Sequence, residues 1–498
     1  MFKKIAVCAL AALMGVFVFA GCRNNSGGGD GSSINVRVVA PLIYNYEDVL
    51  QLRPNDKQAL LTKEIMEGFS KEYPEIEVNL TQSDWGDALN SSLISDLNNR
   101  GPSAPDILVG EQYVHSYIED KVFAELDLET GLDGQPLASD LITQCDAVAK
   151  MDGKYYAIPI ATGTYGLNIN LSMLRECKII DAENAVNPAW RTAVEPFVAA
   201  AESEGFTVSD ASELNPLEPT TWEDLMVICR FIRAFYDKEV TVGGEGYTGN
   251  SGSSRGGMMI EKRSGESNWQ AMPFLRTAGG DFVDSEGVVA VGDSKNEKAF
   301  RMMHELYLTA GTSAIISASS DYLTQFFGSY GAYGVFAQEI VTRAYLYDFA
   351  DEDVLAVKLP TYADGGVYSN SMVGSLYMSV NANRTANLES SLTFIKYLLS
   401  EEVQLRIVEL DGRVPVRQSL LNSDKIKQLS NYEKLKPFLD MYNEWDFEGQ
   451  LVGFSRNPVE IWAAWDLFVG TLYSENFNLA EALAECQTNM LAAQNTRA

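Results

Sequence analysis

Few residues in this chain have the type and spacing for covalent chemistry. Gly252-Ser253-Ser254-Arg255-Gly256 matches the nucleophile-elbow pattern GxSxG, and "GEGYTG" at 244–249 matches the dinucleotide pattern GxGxxG. Each pattern works only between a strand and a helix, which lift the serine or aim a helix end at phosphate. Both fall in one Gly- and Ser-rich stretch without that framing, so both read as loop. Only His115 and His304 could serve a Ser, His, Asp triad, and His304 sits within a helical pattern. With no HExxH and no clustered ligands, neither a metal nor a cofactor is indicated. In so acidic a chain, carboxylate pairs carry no specific signal for glycoside hydrolysis. No catalytic residue is assigned, and the remaining chemistry is non-covalent, carried by aromatic and polar side chains placed just after strands.

Those side chains need elements to hold them. A chain of 498 residues implies two or more lobes, and 46% hydrophobic with 10% aromatic residues suffices for large cores. The formal charge of −30 argues against nucleic acid, whose phosphates require clustered Lys and Arg. Residues 1–21 read as a signal peptide: Lys3 and Lys4, an apolar run from Ile5 to Ala20, then a small-residue cut site. "RNNSGGGDGSS" at 23–33 is a flexible tether. Beyond it, "INVRVVA" alternates as a strand. Leu61, Ile65 and Phe69 mark a helix over about 56–73, stopped by Pro74. "EIEVNLT", a helix from about Trp85 to Asn98 and the buried strand "APDILVG" follow. This alternation predicts parallel strands with crossover helices, an α/β lobe. "TTWEDLMVICRFIRAF" is a further helix, with Thr221 as N-cap and Asp224 as its capping-box partner. Cys145, Cys177, Cys229 and Cys486 lack CxxC spacing; Cys229 reads as core, and a pairing among the others is left open.

Ligands of open α/β folds sit beyond the carboxyl ends of strands. By that rule Tyr44 follows the first strand, Asp84 and Trp85 the second, and Glu111 and Gln112 the third. Asp84 serves equally as an N-cap, and Trp85 as a packing residue at a helix start. In "AIPIATGTYGLNIN", Thr162-Gly163-Thr164 interrupts an apolar strand with residues that weaken strands.

Several segments in order resemble the extracellular solute-binding proteins of ABC importers, in the group that binds sugars and oligosaccharides. They are "FSKEYPEIEVNL", "APDILVG", "DGKYYAIPIATGTYGLNIN", "PTTWEDL", "LRTAGGDFVDSEG", "GSYGAYGVFAQE" and "SLTFIKYLLSEEVQLRIVELDGRVPV". "VFAGC" resembles a bacterial lipobox, which makes Cys22 the lipidated first residue of the mature protein. The resemblance implies a two-lobe periplasmic-binding-protein-like fold with hinge-crossing segments. Residues 34–160 and 362–412 would form lobe 1, and 161–361 and 413–498 lobe 2. The chain would cross near Thr162 with Gly163 as pivot, near Tyr362 and near Gly412. Segment 179–219 is longer than the family's usual connection and is read as a rim decoration. The expected partners are a sugar or oligosaccharide, the membrane subunits of an ABC permease, and the membrane through a lipid anchor; the protein is expected to be a monomer.

Sugars offer hydroxyls around the ring edge and an apolar face, so their sites pair aromatic plates with in-plane polar groups. Under the resemblance, Thr162, Thr164 and Tyr165 would form the cleft floor. Trp269 and Asp281 would reach it from lobe 2, and Tyr330, Tyr333, Gln338 and Glu339 would flank a strand ending there. Of Trp462 and Trp465, one would face the cleft and the other the core, while Trp222 would be structural. Two readings compete with transport: a secreted glycan-acting enzyme, and a ligand-sensing partner of a membrane receptor.

Overall fold

The computed structural model describes residues 32–38, 41–82, 96–98, 104–110, 118, 121–128, 136–142, 146–163, 165–250, 252–262, 267–284, 286–316, 326, 333–340, 354–366, 375–433, 435–436, 439–440, 458–474 and 477–495. The signal sequence, Cys22 and Cys145 lie outside the described residues.

Strand β1 (Ser32–Val38) turns Ile34, Val36 and Val38 inward, the period-two pattern its sequence carries. After α1 (Tyr46–Leu52), α2 (Lys57–Glu72) starts where the Asp56 side chain accepts from the Ala59 amide, and it buries Leu61, Ile65 and Phe69. Next come β2 (Ile76–Gln82), β3 (Ile107–Gly110), a small hairpin of β4 (Lys150–Met151) and β5 (Lys154–Tyr155), and β6 (Ile158–Ala161). A second set follows: β7 (Tyr165–Asn170), α3 (Pro188–Ser203), α4 (Trp222–Tyr236), β8 (Gly256–Met258), β9 (Ile260–Glu261), α5 (Ser267–Thr277), α6 (Glu297–Leu308), β10 (Ile315–Ile316), β11 (Gly334–Ile340) and β12 (Val354–Val357). The chain then returns to the first set with β13 (Leu376–Val380), α7 (Leu388–Leu398) and α8 (Glu401–Leu410), and ends in α9 (Pro458–Leu472) and α10 (Leu479–Gln494).

These strands make two main sheets, ordered β2-β1-β3-β13-β6 and β12-β7-β11-β8, with β10 beside β9. The β1, β2 and β3 neighbours are parallel, with α1 and α2 between β1 and β2; β13 and β6 run antiparallel to their neighbours, and β7 runs antiparallel to both β11 and β12. Each sheet owns a core. One gathers Val36, Phe69, Ile107, Ile160, Tyr377 and Phe394; the other gathers Leu167, Trp222, Phe231, Phe274, Phe300 and Trp465. Two cores on two sheets make a two-lobe α/β molecule.

The lobe boundaries differ from the sequence expectation at two places. Tyr362 is packed in the second core, and Thr361 pairs with Thr221 at the head of α4. The second crossing therefore falls between Gly366 and Ser375, not at Tyr362. At the third place, Val414, Val416, Leu421, Ile426, Leu435 and Leu439 all join the first core, so residues 413–440 stay with lobe 1. Gly412 is no crossing: at φ +73° it is the left-handed residue that ends α8, its amide bonded to the Ile407 carbonyl. Segment 179–219 is part of lobe 2's fabric, because α3 sinks Trp190, Val194 and Val198 into the second core and Arg191 donates to the Ala211 and Leu214 carbonyls at 2.7 Å each.

Thr221 accepts from the Asp224 amide at 3.1 Å, the expected cap. The reciprocal half is missing, since the Asp224 carboxylate instead accepts from Ser209 through both its amide and its hydroxyl. Cys177, Cys229 and Cys486 are buried and unpaired with one another, and Cys229 is core.

Candidate functional site

Ala161 ends a strand of the first sheet and Tyr165 begins one of the second, so the chain passes between lobes within residues 162–164. Thr162 is fully buried. Its amide and carbonyl pair with Val414 at 3.2 and 2.7 Å, and its hydroxyl lies 2.8 Å from that of Ser375, the first described residue after the second crossing. Three chain segments thus meet at one residue. Gln404 braces the same place, donating to the Ile160 carbonyl at 2.9 Å and accepting from the Val416 amide at 3.0 Å. The Thr162 hydroxyl, expected to meet a ligand, is buried and has that of Ser375 as a partner.

The second lobe presents its sheet edge to this knot. Ile340 of β11 pairs with Tyr165, and β8 runs parallel to β11, so the carboxyl ends of β11 and of the β8–β9 run share the edge where the crossing arrives. Two residues before that edge, Gln338 is 2% exposed and neither atom of its carboxamide has a partner. Asn168, on the neighbouring strand, is fully buried with its carboxamide equally unpartnered. Buried polar groups in native proteins are nearly always bonded, and each unpaired one costs about 1–3 kcal/mol. Gln338 stands opposite Leu167 and Asn168 opposite Ala337, so the two amides lie on opposite faces of the sheet. Sequence reasoning reached Gln338 and missed Asn168; the signal was there, a polar residue inside the apolar run "GLNIN".

The remaining candidates fall into distinct settings. Tyr44 stands after β1, 52% exposed. Trp269 lies half-buried in the first turn of α5, against the second core. Asp281 is committed within its own lobe, accepting from Arg276 Nε at 2.9 Å and from the Phe282 amide at 2.7 Å. Trp462 and Trp465 are both in the second core, edge-on to Phe282 at centroid distances of 5.1 and 4.8 Å, and Trp465 Nε1 donates to Ser267 Oγ at 3.1 Å. The expected split of the pair between cleft and core is not found. Trp222 is buried and donates to Thr277 Oγ1 at 2.9 Å. Tyr333 is half-buried beside a small cluster formed by Met259, Ala314 and Phe326. Asp84, Trp85, Glu111, Gln112, Thr164 and Tyr330 lie outside the described residues, as do the side chains of Tyr165 and Glu339.

The GxSxG pattern has a structural explanation. Residues 252–254 form a single tight turn leading into a strand, and no helix follows. Their glycines permit close backbone approach: a Cβ on Gly252 would sit 2.0 Å from the Tyr236 carbonyl, and one on Gly256 2.3 Å from the Gly311 amide. His304 is occupied elsewhere, its Nδ1 3.0 Å from the Leu472 carbonyl and its ring stacked on Phe477; His115 lies outside the described residues. Among the described residues, no group of three His, Cys, Asp or Glu could hold a metal ion, and no helix is long and apolar enough to cross a membrane.

Solved structures share this architecture. The GacH receptor of Streptomyces glaucescens, solved unliganded and with acarbose, matches with a TM-score of 0.65 at 18% identity, over 94% of this chain and 99% of that one. Maltose-bound MalE3 of T. maritima matches at 0.64 and 15%, over 92% and 99%. UgpB from Mycobacterium tuberculosis, in complex with glycerophosphocholine, matches at 0.65 and 14%, over 95% and 100%. No curated protein matches the sequence. The family model for bacterial extracellular solute-binding proteins matches residues 64–434, well over half the chain, and to that family this protein belongs.

Proposed function

We infer that the protein captures a sugar or oligosaccharide between its two lobes and delivers it to the membrane subunits of an ABC importer, held at the membrane by lipid on Cys22. As an extracellular solute-binding protein it works outside the cytoplasm. Its family and the structures it resembles are binding proteins, and those of GacH and MalE3 hold acarbose and maltose. The observation that carries the reading is the buried, unpartnered carboxamide of Gln338 beside the crossing. An amide offers two donors and an acceptor, the complement of a hydroxyl-bearing solute. Tyr44 and Trp269 supply aromatic faces on the two lobes, and closure about the Thr162 knot would bring contacts from both lobes onto one ligand.

A ligand that binds only the native state raises its melting temperature. Screening mono- and oligosaccharides against polyamines, peptides and glycerophosphodiesters should give shifts with saccharides, recovered chemically intact. Shifts confined to another solute class would overturn the substrate assignment. New reducing ends would instead establish the glycan-acting enzyme.

A further inference from the structure

The second crossing leaves lobe 2 from residues 359–366, and α4 grips that segment. The Trp222 amide donates to the Thr361 carbonyl at 2.8 Å, the Thr361 amide donates to that of Thr220 at 3.0 Å, and the Ala363 amide donates to Glu223 Oε2 at 3.1 Å. Glu223 is only 6% exposed, yet it is paired with a backbone amide rather than a cation. Around it stand Asp224 on the same helix, and Tyr362 and Asp364 on the segment it holds. Lys298 of α6 lies over the Tyr362 ring at 4.9 Å and bonds the Asp364 carbonyl at 3.0 Å and carboxylate at 3.4 Å. The Tyr362 hydroxyl is buried without a partner.

We propose that Glu223 is a proton-sensitive latch on the segment that feeds the second crossing, tight when its carboxyl is neutral and loosened when it is charged. Ionised, it places a charge in a poorly solvated site beside two further carboxylates; neutral, it removes that repulsion. Burial, then Asp364 and Asp224, push its pKa from 4.5 up to about 6, against the lowering effect of its own amide and that of Ala363. An acid with a raised folded-state pKa contributes stability that is full below its unfolded value and lost as pH rises through the folded one. The latch is therefore strongest below about pH 4.5 and weakest above about pH 6.

Hydrogen exchange of a peptide spanning 359–366, corrected for intrinsic rates, tests this between pH 4.5 and 8. Protection in the unmodified protein should fall by up to about thirtyfold across that range, the equivalent of a one-and-a-half-unit shift. Glu223→Gln, which keeps an acceptor for Ala363, should hold high protection throughout, while a peptide spanning β1 should respond equally in both proteins. Should Glu223→Gln not fold, Asp364→Asn must move the midpoint to lower pH. Protection independent of pH, or a pH response unchanged in the variant, overturns the proposal.

Discussion

At the scale of single residues, the account rests on polar groups whose partners are either present or missing. Thr162 and Ser375 are partners, so Thr162→Val should cost about 1 kcal/mol of stability, read by urea unfolding. Gln338 has no partner, and the opposite result follows: Gln338→Leu should leave stability unchanged or raise it by about 1 kcal/mol while weakening ligand binding at least tenfold by calorimetry. Equal loss of stability and binding would mean that the amide is structural. The sequence marked Thr162 as a polar interruption of a strand, and the family resemblance placed Gln338 beside a strand end. It could not say which way Thr162 points, because side-chain direction in a crossing depends on the segments that meet it, and Ser375 and Val414 are over two hundred residues away. Gly412 misled for a related reason: a glycine needed for φ > 0 looks the same in sequence whether it ends a helix or opens a hinge.

At the scale of elements, helical periodicity was the dependable signal. The stripe of α2 and the Thr221 cap of α4 are as their spacing implies. The tryptophans of α9 show how the same geometry can be misapplied. Residues three apart on a helix are separated by about 60° around its axis, so both fall within one apolar stripe. Trp465→Ala should cost about 3–5 kcal/mol, and Trp462→Ala should also destabilise, by less, because Trp465 is fully buried and also donates to Ser267. Differential scanning calorimetry separates them; a Trp462→Ala variant with native stability and lost binding would restore that residue to the cleft.

At the scale of the whole molecule, two lobes were legible from the length of the chain and from the family resemblance, which also marked Thr162-Gly163-Thr164 as the passage between them. The return of 413–440 to lobe 1 was not, since those contacts form only when the first sheet is assembled. Cys22→Ala should abolish acyl labelling and release the protein from membranes, which leaves capture itself untouched. Capture by closure is the central claim, and small-angle scattering tests it most directly, on the purified protein with and without the saccharide that most raises its melting temperature. The account predicts a smaller radius of gyration at saturation than in the free protein. A radius unchanged at saturation would contradict it.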